Sequence, residues 1–221
     1  MKKVAVVLSG CGVFDGAEIY ESTLTLLNLD RLDVPYQCMA PNIPQMHVIN
    51  HLTGQVAEGE TRNVLVEAAR IARGDILDLA QVKAADYSAV IFPGGFGAAK
   101  NLCDFAVQGP DCEVNPEVER LISEALEAKI PLGFVCIAPA IMGKVAQKVG
   151  LKTTLTLGTG AEWAEKMQAM GTTHLSCPVR EVAIDEAHQI ISTPAYMEAG
   201  RISEAADGIE TLVKTLVGWL R

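Results

Sequence analysis

Pro131-Leu132-Gly133-Phe134-Val135-Cys136-Ile137-Ala138-Pro139-Ala140 starts as a short apolar run and passes without a break into a helical period. A strand feeding directly into a helix is the repeating joint of βαβ architecture. The joint recurs upstream. Residues 4–8 lead into Ser9-Gly10-Cys11-Gly12 and a helix, and residues 89–92 lead into Pro93-Gly94-Gly95-Phe96-Gly97. Further apolar runs at 35–39, 152–156, 173–175, 181–184 and 189–192 read as strands, the last two joined as a hairpin through Asp185-Glu186-Ala187-His188. Apolar spacing predicts helices over 18–29, 60–73 and 137–149, with longer stripes from Val118 to Leu126 and from Ile202 to Leu220. Asn115-Pro116 supplies a cap and a first-turn proline for the stripe that follows. The pattern is α/β, with a mainly parallel sheet flanked by helices. No repeat or linker divides it, so residues 1–221 are expected to form a single domain.

Composition narrows the function classes. The chain has 221 residues, 49% hydrophobic and 20% charged, which is a globular rather than disordered or fibrous balance. Its 27 acidic and 18 basic side chains give a net charge of −9, opposite in sign to what a nucleic-acid binder needs. Apolar runs fall short of the roughly 20 residues a membrane helix requires. The opening Met1-Lys2-Lys3 and the apolar run after it are too short for an export signal, so a cytoplasmic location is expected. Six cysteines without a CxxC pair are then expected to be free thiols.

Ligands of open α/β sheets bind beyond the carboxyl ends of the strands. Three such ends carry chemistry here. Cys136 sits at a strand-to-helix junction, where a tight elbow lifts a side chain out of the sheet and a helix N-terminus favours the thiolate. The bland alternative is a buried packing cysteine. Gly94 and Gly95 leave backbone N–H groups free to face a ligand oxygen, with Gly95 and Ile137 as the expected oxyanion donors. Their spacing matches neither a dinucleotide fingerprint nor a Walker loop, so no cofactor is expected. Glu18 and Glu21 lie three apart at the start of the first helix and are the candidate proton carriers, although Glu18 also suits a helix-dipole role. Cys11, between two glycines, is a second thiol at the expected cleft rim. His47 and His51 are four apart but lack the glutamate of a zinc motif, so no metal is expected. His174 has no evident partner, and His188 is expected to be solvated in its turn.

The segments LSGCGVFDGAEIYE, MHVINHLTG, ETRNVLVEAARIARG, IFPGGFGAAKNL, GFVCIAPA and STPAYM resemble the class I glutamine amidotransferase-like superfamily that includes the PfpI peptidase relatives. Within it they are most similar to the enhancing lycopene biosynthesis branch and its mitochondrial homologues. The resemblance implies a flavodoxin-like three-layer sandwich, usually homodimeric, with Cys136 as nucleophile and a glutamate after the first strand as its acid; Glu18 and Glu21 both lie in the matching region, and Glu21, deeper in the helix, is preferred. It also implies a link to isoprenoid biosynthesis, and it allows a mitochondrial matrix location as the alternative to the cytoplasm. Phe134 and Ala138 replace the glycines that amidotransferases place around their cysteine, and Ile137 replaces the histidine that PfpI peptidases place after theirs. Glutamine hydrolysis and peptidase activity are therefore not expected. What remains is a cofactor-independent lyase of the hydro-lyase type. It would be a glutathione-independent glyoxalase acting on a small reactive dicarbonyl, with no nucleic-acid or membrane partner. The alternative is a non-catalytic redox sensor, binding or regulatory protein built on the same cysteine.

Overall fold

The computed structural model describes residues 2–220. Along the chain run β1 (Val4–Val7), α1 (Ile19–Arg31), β2 (Tyr36–Ala40), β3 (Ile49–Asn50), β4 (Gln55–Val56), α2 (Val64–Ile71), β5 (Ile76–Asp78) and β6 (Ala89–Phe92). There follow α3 (Phe96–Lys100), α4 (Phe105–Gln108), α5 (Pro116–Glu127), β7 (Leu132–Val135), α6 (Pro139–Val149), β8 (Thr154–Leu155) and α7 (Ala161–Ala169). The chain then adds β9 (Thr173–His174), β10 (Ala183–Asp185), β11 (Ile190–Thr193) and α8 (Ile202–Gly218).

Seven strands form one sheet in the order β10-β11-β7-β6-β1-β2-β5, parallel throughout except for the β10 edge. Successive residues of the central strands serve opposite faces. Ala5, Val7, Val90, Phe92, Leu132 and Phe134 pack with residues of α5 and α6. Val4, Val6, Ala89, Ile91 and Val135 pack with residues of α1, α2 and α8. Every residue of β1, β6 and β7 is buried, as expected for parallel strands covered on both faces. The three-layer α/β sandwich is therefore present. Chain order runs outward from β1 to β2 and β5, then returns to β6 and β7 on the other side of β1. That reversal puts the topological switch point between β1 and β6, so the loops after β1, β6 and β7 open onto one place.

Differences from the sequence reading have local causes. The helix expected over 60–73 begins at Val64, because Asn63 caps it through Oδ1 and the carbonyl of Arg62 is used instead by the amide of Gln45. The helix expected from 137 begins at Pro139, after the turn that the elbow needs. The runs at 152–156 and 173–175 pair with each other as β8 and β9, outside the main sheet. Helix α7, the β3–β4 hairpin and edge strand β5 were not anticipated. Their apolar signal is weak, and β5 and the hairpin tip are substantially exposed. His188 is not simply solvated. Its Nδ1 lies 2.9 Å from Asp185 Oδ2 and helps close the β10–β11 hairpin. All six cysteines are free.

Phe92 and Phe134, fully buried on neighbouring strands, stack with centroids 5.0 Å apart. Truncation of Phe134 removes that stack and leaves a cavity under the elbow. Phe134→Ala should cost about 3–5 kcal/mol, read as a lower urea midpoint with unchanged m-value.

Candidate active site

Cys136 follows β7 directly. Its amide still donates to Thr193 O in the sheet ladder, at 2.9 Å, while its φ of 61° turns the chain sharply toward α6. A non-glycine residue held in that region is strained, and such strain concentrates at functional sites. The side chain emerges at the switch point with 7% exposure. The amides of Gly95 and Ile137, the two expected oxyanion donors, lie beside its sulfur and loosen its hold on the proton.

The opposite wall is built by the loops after β1 and β6, which are stitched backbone to backbone. Phe96 N donates to Val13 O, Gly97 N to Gly16 O and Glu18 N to Gly94 O, at 2.8, 2.8 and 2.9 Å. There is no room for side chains at this seam. A Cβ on Gly97 would stand 2.5 Å from Gly16 and Ser9 backbone atoms, and one on Gly94 would collide with Cys136 and Glu21. The result seats the start of α1 against the elbow. Glu18 caps α1 by accepting the Glu21 amide at 2.6 Å. One turn later Glu21 reaches the sulfur with no solvent exposure at all.

Glu21 is held on both oxygens: Oε2 accepts Gly94 N at 3.0 Å, and Oε1 accepts Tyr196 N at 3.1 Å. Those amides favour the ionised form, but burial outweighs them and, with the nearby Glu18 charge, lifts Glu21 to about 8. Burial, then the Glu21 charge, push the Cys136 thiol well above the ordinary cysteine value despite the two amides on its sulfur. The elbow alone therefore does not deliver a thiolate, contrary to the expectation from the helix terminus.

Other sequence candidates fall differently. Gly94 is not an oxyanion donor, because its amide is committed to Glu21. Glu18 caps the helix and also lines the cleft. Cys11 lies instead among the charges of Glu67, Arg70, Asp15 and Arg62, the first two of them on α2. His174 accepts the Leu157 amide through Nε2 at 3.1 Å, and His51 accepts the Phe14 amide at 3.2 Å. Both rings are thereby given structural work away from Cys136.

Over the sulfur opens a cleft of about 390 Å³ lined by Glu18, Gly95, Cys136, Ile137 and a set of side chains not foreseen: Val13, Phe96, Glu162, Trp163, Tyr196 and Met197. Tyr196 and Met197 lie within the STPAYM segment, whose role in holding Glu21 had no local signature. Trp163 comes from α7, a helix with little apolar periodicity. A wider hollow of about 640 Å³ lies between Arg120, Glu124 and residues 80–85, but it is walled by ion-paired surface groups and holds no nucleophile. Beside the lining residue Met197, Glu198 accepts Thr159 N at 2.6 Å and Thr159 Oγ1 at 2.9 Å.

No family model matches the chain. Individual proteins do. It is 47% identical over 220 residues to a human glutamine amidotransferase-like class 1 domain-containing protein 3, mitochondrial, covering 97% of this chain and 82% of that one. It is 46% identical over 220 residues to the rat ES1 protein homolog, mitochondrial, covering 97% and 83%. Among solved structures, an isoprenoid biosynthesis protein with amidotransferase-like domain from Ehrlichia chaffeensis superposes with a TM-score of 0.91 at 35% identity, covering 98% of this chain and 99% of that one. A DJ-1 variant from Schizosaccharomyces pombe, with a TM-score of 0.59 at 15% identity over 100% and 92% of the chains, shares the fold alone. The names of these relatives are mitochondrial and lend no support to the cytoplasmic expectation.

A carboxyl group whose value rises from 4.5 unfolded to about 8 folded makes the native state bind the extra proton. Its stabilising contribution is complete below pH 4.5 and is lost as pH rises through 8, on the order of 5 kcal/mol across that window. Urea titrations at pH 5 to 9 should therefore show stability falling with pH in the native chain, and a distinctly flatter profile in Glu21→Gln.

Proposed function

Because the chain belongs to the ES1 and glutamine amidotransferase-like class 1 domain family, and because its buried acid and thiol meet under an open cleft, we propose that it is a glyoxalase-type enzyme that needs no glutathione. The observation that carries the reading is the contact between Cys136 and Glu21, with the Gly95 and Ile137 amides beside the same sulfur. In this reading the carboxylate of Glu21 takes the thiol proton as the sulfur attacks one aldehyde carbon of glyoxal. The new C–S bond gives a hemithioacetal whose oxyanion is met by the two amides. Glu21 passes the thiol proton to that oxygen, which leaves the neutral hemithioacetal and a free carboxylate; the carboxylate then removes the hydrogen on the same carbon and delivers it to the neighbouring carbon, while the hydroxyl proton moves to the neighbour's oxygen. The first carbon is oxidised to a thioester and the second reduced to an alcohol. Water cleaves the thioester to glycolate and restores the thiol. Redox is internal to the substrate, so the sum is glyoxal plus water.

Two further features support it. Glu21 stands beside the sulfur, and its two backbone donors fix its orientation. A value near 8 suits a group that must both accept and return a proton near neutral pH. The relatives' names are consistent with action in the mitochondrial matrix, and the Ehrlichia chaffeensis protein's name with a connection to isoprenoid biosynthesis.

Turnover of glyoxal should fall to background in Cys136→Ser, and at least a hundredfold in Glu21→Gln. In the native chain kcat/KM should climb about tenfold per pH unit below the Glu21 value and level off above pH 8. Undiminished turnover in Cys136→Ser would remove the scheme. The same two amides are also the donors an oxidised sulfur would need, which favours a sensing role as the second reading. Selective gain of two oxygens on Cys136 at low peroxide, without glyoxal turnover, would decide for it.

A further inference from the structure

The cleft over Cys136 is far roomier than a two-carbon dialdehyde requires, and its walls are chemically one-sided. At about 390 Å³ it falls within the range of ordinary small-molecule pockets, about 300–1,000 Å³. Three aromatic rings, from Phe96, Trp163 and Tyr196, face it from three separate elements. Its charged lining consists of two carboxyl side chains, Glu18 and Glu162, and no lysine, arginine or histidine lines it among the described residues. Two lysines lie over rings of the lining. Lys166 Nζ lies 4.5 Å over Trp163, while Lys100 Nζ lies 5.2 Å over Phe96 and donates to Phe14 O at 3.0 Å.

We propose that the substrate is an uncharged carbonyl compound carrying an aryl or branched apolar group, seated on Trp163 and Phe96, and that carboxylated or phosphorylated carbonyls are refused. The apolar group gains by leaving water against the rings. An anion would enter a partly desolvated space whose charged lining is Glu18 and Glu162, the neighbouring lysines being outside that lining and already placed over the rings, which is costly. This inference rests on the reading that the Cys136 sulfur attacks a carbonyl in the cleft, and it names the class of molecule that sulfur meets.

Alkylation of Cys136 measures the selectivity without depending on turnover. Rates at this residue, read by peptide mass spectrometry and divided by the rates with free cysteine, are compared for phenacyl bromide, iodoacetamide and iodoacetate. Phenacyl bromide should exceed iodoacetamide at least tenfold, and iodoacetamide should exceed iodoacetate at least tenfold. In Trp163→Ala the phenacyl advantage should collapse, and Trp163→Phe should restore most of it. Glu162→Gln should narrow the gap between the amide and the acid. An iodoacetate rate equal to or above that of iodoacetamide would overturn the proposal, as would a phenacyl advantage that survives Trp163→Ala. Phenylglyoxal and glyoxal turnover are measured alongside. Absence of both with the alkylation order intact would sink the glyoxalase reading while upholding the cleft's preference. Turnover of glyoxal with the order reversed would do the opposite.

Discussion

A carboxyl group with no solvent exposure rests against a thiol with almost none, and much of the surrounding structure keeps them there. Neither group would choose this neighbour. Burial penalises both charges, the Glu21 charge tightens the hold of Cys136 on its proton, and the Glu18 charge does the same to Glu21. The arrangement persists because the backbone over-determines it. An elbow with φ of 61° supplies the sulfur, a capped helix supplies the acid, and amides from two further segments orient that acid. The chemical outcome is a protonated pair that can part with one proton near neutrality, which differs from the pre-ionised thiolate that a helix terminus alone would suggest.

The parallel sheet explains why these groups converge. With β1 between β2 and β6, and β6 between β1 and β7, three consecutive strand ends in space come from widely separated parts of the chain. Only a seam free of side chains lets the first two end loops approach closely enough to bring α1 under the elbow, which is why glycines occupy positions 16, 94 and 97. Substituents at those positions would push the acid and the sulfur apart before they disturbed the hydrophobic core.

Much of this was legible in the sequence, for reasons that can be named. Buried parallel strands leave continuous apolar runs, so β1, β6 and β7 stood out, and Asn115-Pro116 marked the start of α5. The elbow showed because Cys136 stands at a change of period, and Glu21 because it lies one turn into the first helix. What could not be read was long-range. The commitment of the Gly94 amide to Glu21, the placing of Cys11 among charges of α2, and the service of Tyr196 depend on how distant segments dock. Trp163 was missed because α7 is only lightly buried, with Met167 its one buried residue, and so leaves little periodic trace.

The Tyr196 amide that holds Glu21 lies 175 positions further along the chain. During synthesis the cysteine and the acid therefore leave the ribosome well before the segment that locks them together. Until β11 slots in beside β7, the acid lacks one of its two tethers and the elbow strand lacks one of its two neighbours. A newly made chain thus passes through a period in which its most valuable sulfur is less sheltered than it will ever be again, and the last quarter of the polypeptide closes that window.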